Sequence, residues 1–188
     1  MIVKEVVLCL QTKVQKMKID KLNQISTGVG DKGTSINFNN IKYSKDDILF
    51  EALGTIDEVS SILGICFQVT NYKEIKTIQR TLQDINSQIA TSTKDKRNQL
   101  NLISQSDIDY LEKTETQFLK TSHITHEFVL PGSESKQSAF LDLARTVTRR
   151  SERKIVSFIN NYERDDLDLC LIYLNRLSDL LFIMARQK

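Results

Sequence analysis

Four arginines within nine residues form the densest group of side chains in this chain that could do chemistry. They are Arg145, Arg149, Arg150 and Arg153. A guanidinium group is a rigid fork of donors that fits carboxylates and phosphates. A helix face made only for water usually alternates Glu with Lys four residues apart, whereas here lysine comes only at the end, at Lys154. A solvated face is one interpretation, and we favour the other, in which this helix is one wall of an anion site.

A second candidate for anion binding is the glycine loop, residues 28–35, which formally matches the pattern G-x-G-x-x-G. A dinucleotide-binding fingerprint is excluded, because no apolar strand precedes the loop and the polar residues after it do not open a helix. A Walker loop is excluded because Gly-Lys-Ser/Thr is missing from its end. Exposed amides, Lys32 and the hydroxyls of Thr34 and Ser35 could wrap phosphates. A plain surface turn is the alternative.

The histidines and cysteines favour no metal site. Both histidines, His123 and His126, lie in one short stretch without a third ligand, so we expect exposed loop residues and no metal held by the protein itself. Cys66 and Cys170 fall in apolar helical patterns, which predicts buried free thiols rather than disulfides.

A polar cluster interrupts the last apolar stretch of the chain, residues 167–186. The stretch is apolar nearly all round, which predicts a central helix. Buried polar groups need partners, so the cluster either ties helices together or reaches a ligand. It consists of Asn175, Arg176, Ser178 and Asp179.

Helical periodicity predicts how the arginines are positioned. From about Ser135 a narrow apolar stripe recurs at helical spacing and should pack inward; its members are Phe140, Ala144, Val147, Ser151, Ile155 and Phe158. Arg145, Arg149 and Glu152 lie opposite this stripe, with Asp142 among them. We therefore expect these four side chains to face away from the core.

Similar patterns predict four more helices. They cover about residues 44–69 with Ser44 as N-cap, 75–89, 106–120 with Ser106 and Asp109 as a capping box, and 167–186. A polar connection, residues 91–103, and an extended segment, residues 127–132, join them. With no convincing strand, the sequence predicts an all-α, up-and-down five-helix bundle.

Composition limits the possible functions. The chain has 188 residues, one proline, six glycines and a formal net charge of +2, which fits one helix-rich domain. The local basic excess is too small for a general nucleic-acid footprint, and no apolar run is long enough for a membrane span. We expect a soluble, cytoplasmic protein, or one of the mitochondrial matrix if the source is eukaryotic.

Five stretches, in order, resemble the PduO-type ATP:cob(I)alamin adenosyltransferases. Residues 27–35 are similar to the family's loop T-K-T-G-D-K-G-T-T, and residues 44–61 to S-K-D-D followed by E-A-Y-G-T-V-D-E-L-N-S. Residues 128–132 resemble F-I-L-P-G, residues 144–153 resemble A-R-T-V-C-R-R-A-E-R, and residues 174–179 resemble x-N-R-L-S-D.

This resemblance implies a homotrimer of ferritin-like five-helix bundles, with an active site in each cleft between neighbours. It implies transfer of the 5′-deoxyadenosyl group of ATP to the cobalt of reduced cobalamin and release of triphosphate, with Mg²⁺ held mainly by the phosphates. Residues 25–188 would form the catalytic domain, and residues 1–24 a poorly ordered extension. The alternative is a catalytically weak cobalamin carrier that delivers its ligand to an adenosylcobalamin-dependent mutase.

By position, the resemblance also assigns roles to single residues. ATP would be bound from two sides, by Thr27, Gly28, Val29, Gly30, Thr34, Ser35 and Lys45, and by Arg149, Arg150, Glu152, Arg153 and Asn175. Phe128 would close the lower face of the corrin and, with Arg149, serve catalysis. Asp57 and Arg145 would form a salt bridge between subunits. The chain departs from the family at Gly28 and Val29, which replace Lys and Thr, and at Asp142, where histidine is common.

Overall fold

The computed structural model of the chain describes residues 20–26, 28 and 30–187, and most of these are helical. The predicted extension lies mostly outside the described residues; its described part contains the short helix α1, Leu22–Ile25. Two strands follow, and the remaining helices are α2 Ile48–Thr70, α3 Glu74–Ala90, α4 Lys94–Arg97, α5 Gln105–Leu119, α6 Lys136–Tyr162 and α7 Asp168–Met184.

The arginine-bearing helix α6 is the longest of these helices and packs between α2 and α7. The predicted stripe is confirmed, because Ala144, Val147, Ser151, Ile155 and Phe158 are buried and Phe140 is half-buried. α3 packs on the far side of α2, and α5 packs on α7. Within the core, the Ser151 hydroxyl donates to the Thr55 carbonyl at 2.9 Å, so α2 and α6 approach closely at a small polar residue.

A short β-hairpin corrects the prediction that the chain has no strand. β1, Thr34–Ile36, pairs antiparallel with β2, Lys42–Ser44. The turn is held by the buried Asn37 side chain, whose Oδ1 accepts from the amides of Asn39 and Ile41 at 2.9 Å each. Strands of three residues are too short to show an alternating pattern, and periodicity therefore could not predict them.

Several helix boundaries differ from prediction by a few residues. Asp47, not Ser44, caps α2, and its carboxylate accepts from the amide of Leu49 at 2.8 Å. The capping box of α5 uses Ser104 and Asp107 rather than Ser106 and Asp109. α6 begins at Lys136 with Ser135 as its N-cap, which confirms the predicted start at about Ser135. The polar connection contains the short helix α4.

Asp142 is buried, which corrects the prediction that it faces away from the core. Its side chain pairs with Arg186, which follows α7 and is also buried. Helical periodicity places Asp142 with the polar residues of α6, but it cannot reveal a cation that returns from the end of the chain.

The remaining predictions about burial are confirmed. Cys66 and Cys170 are buried free thiols, and His123 and His126 are exposed loop residues. Burial raises the pKa of Cys66 to about 11 and that of Cys170 to about 12, so neither thiol ionises at neutral pH. In the described part of the chain, every helix is too short or too polar to cross a membrane.

Candidate active site

Two of the four arginines of α6 line a cleft of about 430 Å³, which we call the arginine cleft. Its lining residues come from α6, α7, the end of α5 and the loop after α5; they are Leu119, Ile124, Arg145, Arg149, Ser178, Asp179, Phe182 and Ile183. The two cationic side chains come from α6, and the other elements supply four apolar side chains together with Ser178 and the carboxylate of Asp179. Such a cleft can accept an anionic group next to a flat apolar one.

The guanidinium of Arg149 is free to bind a ligand. Within the described residues it forms no salt bridge or hydrogen bond, although the backbone carbonyl of Arg149 accepts from Arg153 Nη1 at 3.0 Å. Arg145 is held differently, because its Nε donates to Asp142 Oδ1 at 3.2 Å. An unpaired guanidinium beside a cleft favours the anion-site interpretation over a solvated face.

Arg150 and Lys154 point to the other flank of α6, towards α2. Arg150 pairs with Glu58, and Lys154 Nζ lies 3.0 Å from Glu51 Oε2. A second cleft of about 460 Å³ opens there, lined by these four side chains with Phe50, Gly54 and Thr55. The four arginines therefore do not form one patch, and within one chain Arg150 already has an anionic partner.

The polar cluster of α7 both ties helices together and lines the arginine cleft. Arg176 Nε donates to Glu112 of α5 at 3.0 Å, and Asn175 Nδ2 donates to Glu152 of α6 at 3.4 Å. Ser178 and Asp179 face the cleft. The tie between helices is therefore confirmed at Asn175 and Arg176, whereas contact with a ligand stays a prediction for Ser178 and Asp179.

The described part of the glycine loop lies under the side chain of Lys45. A Cβ atom added at Gly30 would come within 2.8 Å of Lys45 Nζ, and the Lys45 amide donates to the Gly33 carbonyl at 2.9 Å. Thr34 and Ser35 lie in β1, next to the loop. Thr27 and Val29 fall outside the described residues. The loop therefore carries an ammonium group directly above exposed backbone.

Within one chain, the glycine loop and the arginine cleft lie far apart. The Tyr162 hydroxyl, at the end of α6, donates to Asp47 at the start of α2, which places the loop and hairpin at that end of α6. Arg149 lies thirteen residues earlier on the same helix, a separation of about 20 Å along its axis. The two predicted halves of an ATP site are not brought together by a single chain.

Two residues to which the resemblance assigns roles, Phe128 and Asp57, do not line the arginine cleft of one chain. Phe128 is 90% exposed in the loop before α6, although large aromatic side chains are usually buried. Asp57 accepts a hydrogen bond from Asn86 at 2.9 Å and does not contact Arg145 of the same chain. Partial burial raises the pKa of Asp57, although the Asn86 hydrogen bond opposes this, and no cation among the described residues forms a salt bridge with the carboxylate.

Sequence reasoning missed Glu115 and Arg186, which lie near or behind the cleft, and placed Asp142 on the wrong side of α6. Glu115 has a carboxylate oxygen buried without a hydrogen-bond partner among the described residues, and burial together with Asp179 raises its pKa to about 7. Asp142 and Arg186 form a buried pair with an Nη1–Oδ2 distance of 3.1 Å. The only signal for that pair was an acidic residue three positions before Arg145 on one helix.

The described residues offer no ready metal site, since no three of their His, Cys, Asp or Glu side chains are grouped as ligands could be. The arrangement instead suits an organic anion bound by cationic side chains and backbone amides.

Comparisons with known proteins show which family the chain resembles. The sequence model of one family, described as cobalamin adenosyltransferase, matches residues 25–188. The chain is 37% identical over 168 residues to a corrinoid adenosyltransferase from Citrobacter freundii, covering 87% of this chain and 93% of that protein. It is 35% identical over 178 residues to the corrinoid adenosyltransferase MMAB from Homo sapiens, and the match covers 90% of this chain and 70% of that protein. A solved variant of a PduO-type ATP:corrinoid adenosyltransferase from Lactobacillus reuteri, complexed with cobalamin and ATP, matches with a TM-score of 0.77 at 31% identity, covering 86% of this chain and 91% of that one.

Proposed function

The chain belongs to the cobalamin adenosyltransferase family, and from this membership we propose how its own residues carry out the reaction. The protein is an enzyme that uses ATP to adenosylate cobalamin. The observation that carries the assignment of residues is the arginine cleft, in which the guanidinium of Arg149, unpaired among the described residues, lies with four apolar side chains. Arg149 would bind the phosphates of ATP, and the apolar side chains would lie against the corrin.

In this proposal, the active site is completed by a second copy of the chain. Residues Gly28, Gly30, Thr34, Ser35 and Lys45 of one protomer would bind ATP together with Arg149, Arg150, Glu152, Arg153 and Asn175 of its neighbour. The separation of about 20 Å between the two groups within one chain supports this. Thr27 and Val29, outside the described residues, are assigned to the same loop side by the resemblance alone.

The chemistry requires charge stabilisation more than proton transfer. The cobalt of reduced cobalamin, Co(I), attacks the 5′ carbon of ATP; a Co–C bond forms, the C5′–O bond breaks and triphosphate leaves with the bonding electrons. Such a nucleophile needs no protein base, which suits a cleft without histidine. The developing negative charge is stabilised by guanidinium, ammonium and amide donors fixed in place before the reaction.

Phe128 would supply the apolar side of the site. The side chain of Phe128 is 90% exposed in one chain, and packing against a ligand or a neighbouring protomer would bury this apolar surface. Placed under the corrin, it could displace a polar lower ligand of cobalt without replacing it. This role rests on the resemblance of residues 128–132 to the family motif.

Mg²⁺ would enter as part of the nucleotide complex. The described residues lack a grouped set of metal-ligating side chains, so the phosphates would supply most of its ligands. The ion would neutralise charge on the leaving triphosphate, and the protein's part is to bind and orient that complex through Lys45 and the arginines.

At the level of assembly, we propose a homotrimer of five-helix bundles, formed by α2, α3, α5, α6 and α7. Residues 25–188 would form the catalytic domain. Delivery of the product to an adenosylcobalamin-dependent mutase stays a prediction from the resemblance.

An anaerobic assay tests the proposal. Purified protein, chemically reduced cobalamin, ATP and Mg²⁺ should yield adenosylcobalamin, followed by its absorbance, and one triphosphate for each product. Arg149→Ala should reduce kcat/KM for ATP by about 10²-fold or more, because a charge-stabilising donor is lost. The matched control is Arg80→Ala, which removes an exposed arginine of α3 and should leave kcat/KM unchanged. Absence of a Co–C product with the unaltered chain would overturn the assignment.

A further inference from the structure

Asp142 is a buried carboxylate that joins three separate segments of the chain. It is 1% exposed, and its Oδ2 accepts from the amide of Gly132 at 3.1 Å and from Arg186 Nη1 at 3.1 Å. Its Oδ1 accepts from Arg145 Nε at 3.2 Å and from Arg186 Nη2 at 3.3 Å. Both oxygens are therefore bonded, as a buried charge requires.

Two of these partners are tied to the arginine cleft, and the third to the loop that carries Phe128. Arg145 lines the cleft directly. Arg186 lies over the ring of Phe182 at 4.8 Å, and Phe182 is part of the cleft wall. The third bond, from Gly132, holds the loop that carries Phe128.

The turn at Gly132 is fixed as well as bonded. Gly132 has φ +73°, and a Cβ atom there would come within 3.0 Å of Ala139 Cβ, so the turn packs directly against the first turns of α6. The amide of Ser133 donates to the carbonyl of Leu130 at 3.2 Å, which closes the turn. Phe128 stands four residues before Gly132, and the Asp142 bond is thus a short link between its loop and α6.

Arg145 is held in a way that leaves part of its fork available. Only its Nε is bonded to Asp142, and among the described residues its two terminal nitrogens make no hydrogen bond or salt bridge. A hydrogen bond at Nε fixes the orientation of the guanidinium plane before any further anion binds to the terminal nitrogens. Arg186 compensates the charge that Asp142 brings into the core.

From these contacts we propose that Asp142 is a positioning residue for cobalamin binding: with Arg186 it fixes the plane of Arg145 and the loop that carries Phe128. The inference rests on the proposed function of the arginine cleft. Asp142 does not contact Arg149, so the ATP side of the site should be little affected by its loss.

Steady-state kinetics on Asp142→Asn tests the inference in the full-length protein, with the oligomeric mass of each variant checked under assay conditions. The amide keeps the shape of the side chain but removes its charge. We expect KM for cobalamin to rise about tenfold, the change that loss of one charge-assisted hydrogen bond produces in an equilibrium, while KM for ATP stays within about twofold. The matched control is Asp166→Asn, which removes another arginine-paired carboxylate far from the cleft. It should lower Tm without changing either KM.

The outcomes separate positioning from plain stability. A lower Tm with both KM values unchanged, or equal changes in both KM values, would overturn the positioning role. If Asp142→Asn does not fold, Arg186→Lys decides by the same criterion, since it keeps the charge and loses the two-point contact with Asp142. An unaltered chain without adenosyltransferase activity would instead refute the proposed function, which keeps the two failures distinguishable.

Discussion

The contact between Gly30 and Lys45 shows how the lack of a side chain can position a charged group. Lys45 Nζ occupies the space that a Cβ atom of residue 30 would need, at 2.8 Å. The end of a lysine side chain can move at little cost in stability, so a methyl group at residue 30 should displace the ammonium without unfolding the loop.

Gly30→Ala should therefore weaken ATP binding while leaving Tm nearly unchanged. We expect the Kd for ATP to rise about threefold to tenfold, the effect of losing one charged hydrogen bond, measured by calorimetric titration. Lys45→Met and the double variant complete a double-mutant cycle. If Gly30→Ala acts through the lysine, the double variant binds ATP no worse than Lys45→Met. Additive losses would contradict this account.

Glu115 is a carboxyl group whose protonation changes near neutral pH. Burial, then the negative charge of Asp179, raises its pKa from 4.5 to about 7; Arg176 opposes this and Glu112 adds to it. Because the folded-state pKa lies above the unfolded one, the folded chain holds the proton more tightly. Stability from this group is complete at low pH and falls as pH rises through about 7.

Glu115→Gln should consequently stabilise the chain only at alkaline pH. The amide cannot ionise, so the free energy of unfolding should rise by about 1–2 kcal/mol near pH 8 and change little near pH 4.5. Urea unfolding at both pH values measures this. Glu127→Gln, at an exposed glutamate, is the control and should have no pH-dependent effect. The same stabilisation at both pH values would show that the charge of Glu115 is not the cause.

At the level of elements, a buried arginine joins the ends of three helices. Arg164, between α6 and α7, donates to the carbonyl of Gln88 at 2.8 Å near the end of α3 and binds Asp166 through Nε at 2.7 Å. Arg97, at the end of α4, pairs with the same carboxylate. A cation at the exposed carbonyls of a helix end also complements the helix dipole.

Loss of this junction should make the chain more sensitive to acid. Burial would raise the pKa of Asp166, but hydrogen bonds from Arg164 and Arg97 outweigh it and lower the pKa from 3.8 to about 2. The stabilisation is thus complete above about 3.8 and disappears as pH falls through about 2. Asp166→Asn should lower the free energy of unfolding by about 1–2 kcal/mol at neutral pH, after allowance for solvent screening. In urea unfolding, the difference from the unaltered chain should shrink below about pH 4; Asp165→Asn, at an exposed neighbour, is the control.

The helices could be predicted from the sequence, and the contacts between distant segments could not. The stripe on α6 and its start at about Ser135 follow from periodicity, which acts within a few turns of helix. The β-hairpin was missed because its strands are short, and its turn depends on Asn37 bonding across four residues. The burial of Asp142 was missed because its partner Arg186 lies forty-four positions away in sequence. For the site, the sequence identified Arg149 and the glycine loop but not which arginines share a cleft.

At the scale of the whole molecule, the central question is what brings the glycine loop to the arginine cleft. In one chain they lie about 20 Å apart along α6, and Asp57 and Arg145 each lack the partner that the family resemblance assigns. Burial holds the pKa of Asp57 above its usual value, with the Asn86 hydrogen bond opposing the shift. A cation from a neighbouring protomer would lower that pKa and compensate the charge of the carboxylate.

A double-mutant cycle on Asp57 and Arg145 tests this assembly. Charge reversal at Arg145 is unsuitable, because a carboxylate there would lie beside Asp142, 3.2 Å from the present Nε. Neutral replacements avoid that clash: Asp57→Asn and Arg145→Gln should each increase dissociation of the proposed trimer on dilution, followed by mass photometry. The double variant should dissociate no more than the single variant that dissociates more readily. The coupling free energy between the two side chains should be about 1 kcal/mol or more. Asp95→Asn, at an exposed residue of α4, is the control and should assemble like the unaltered chain. Additive effects of the two replacements would show that the side chains act independently, and the interface would then have to be sought on another face of α2 and α6.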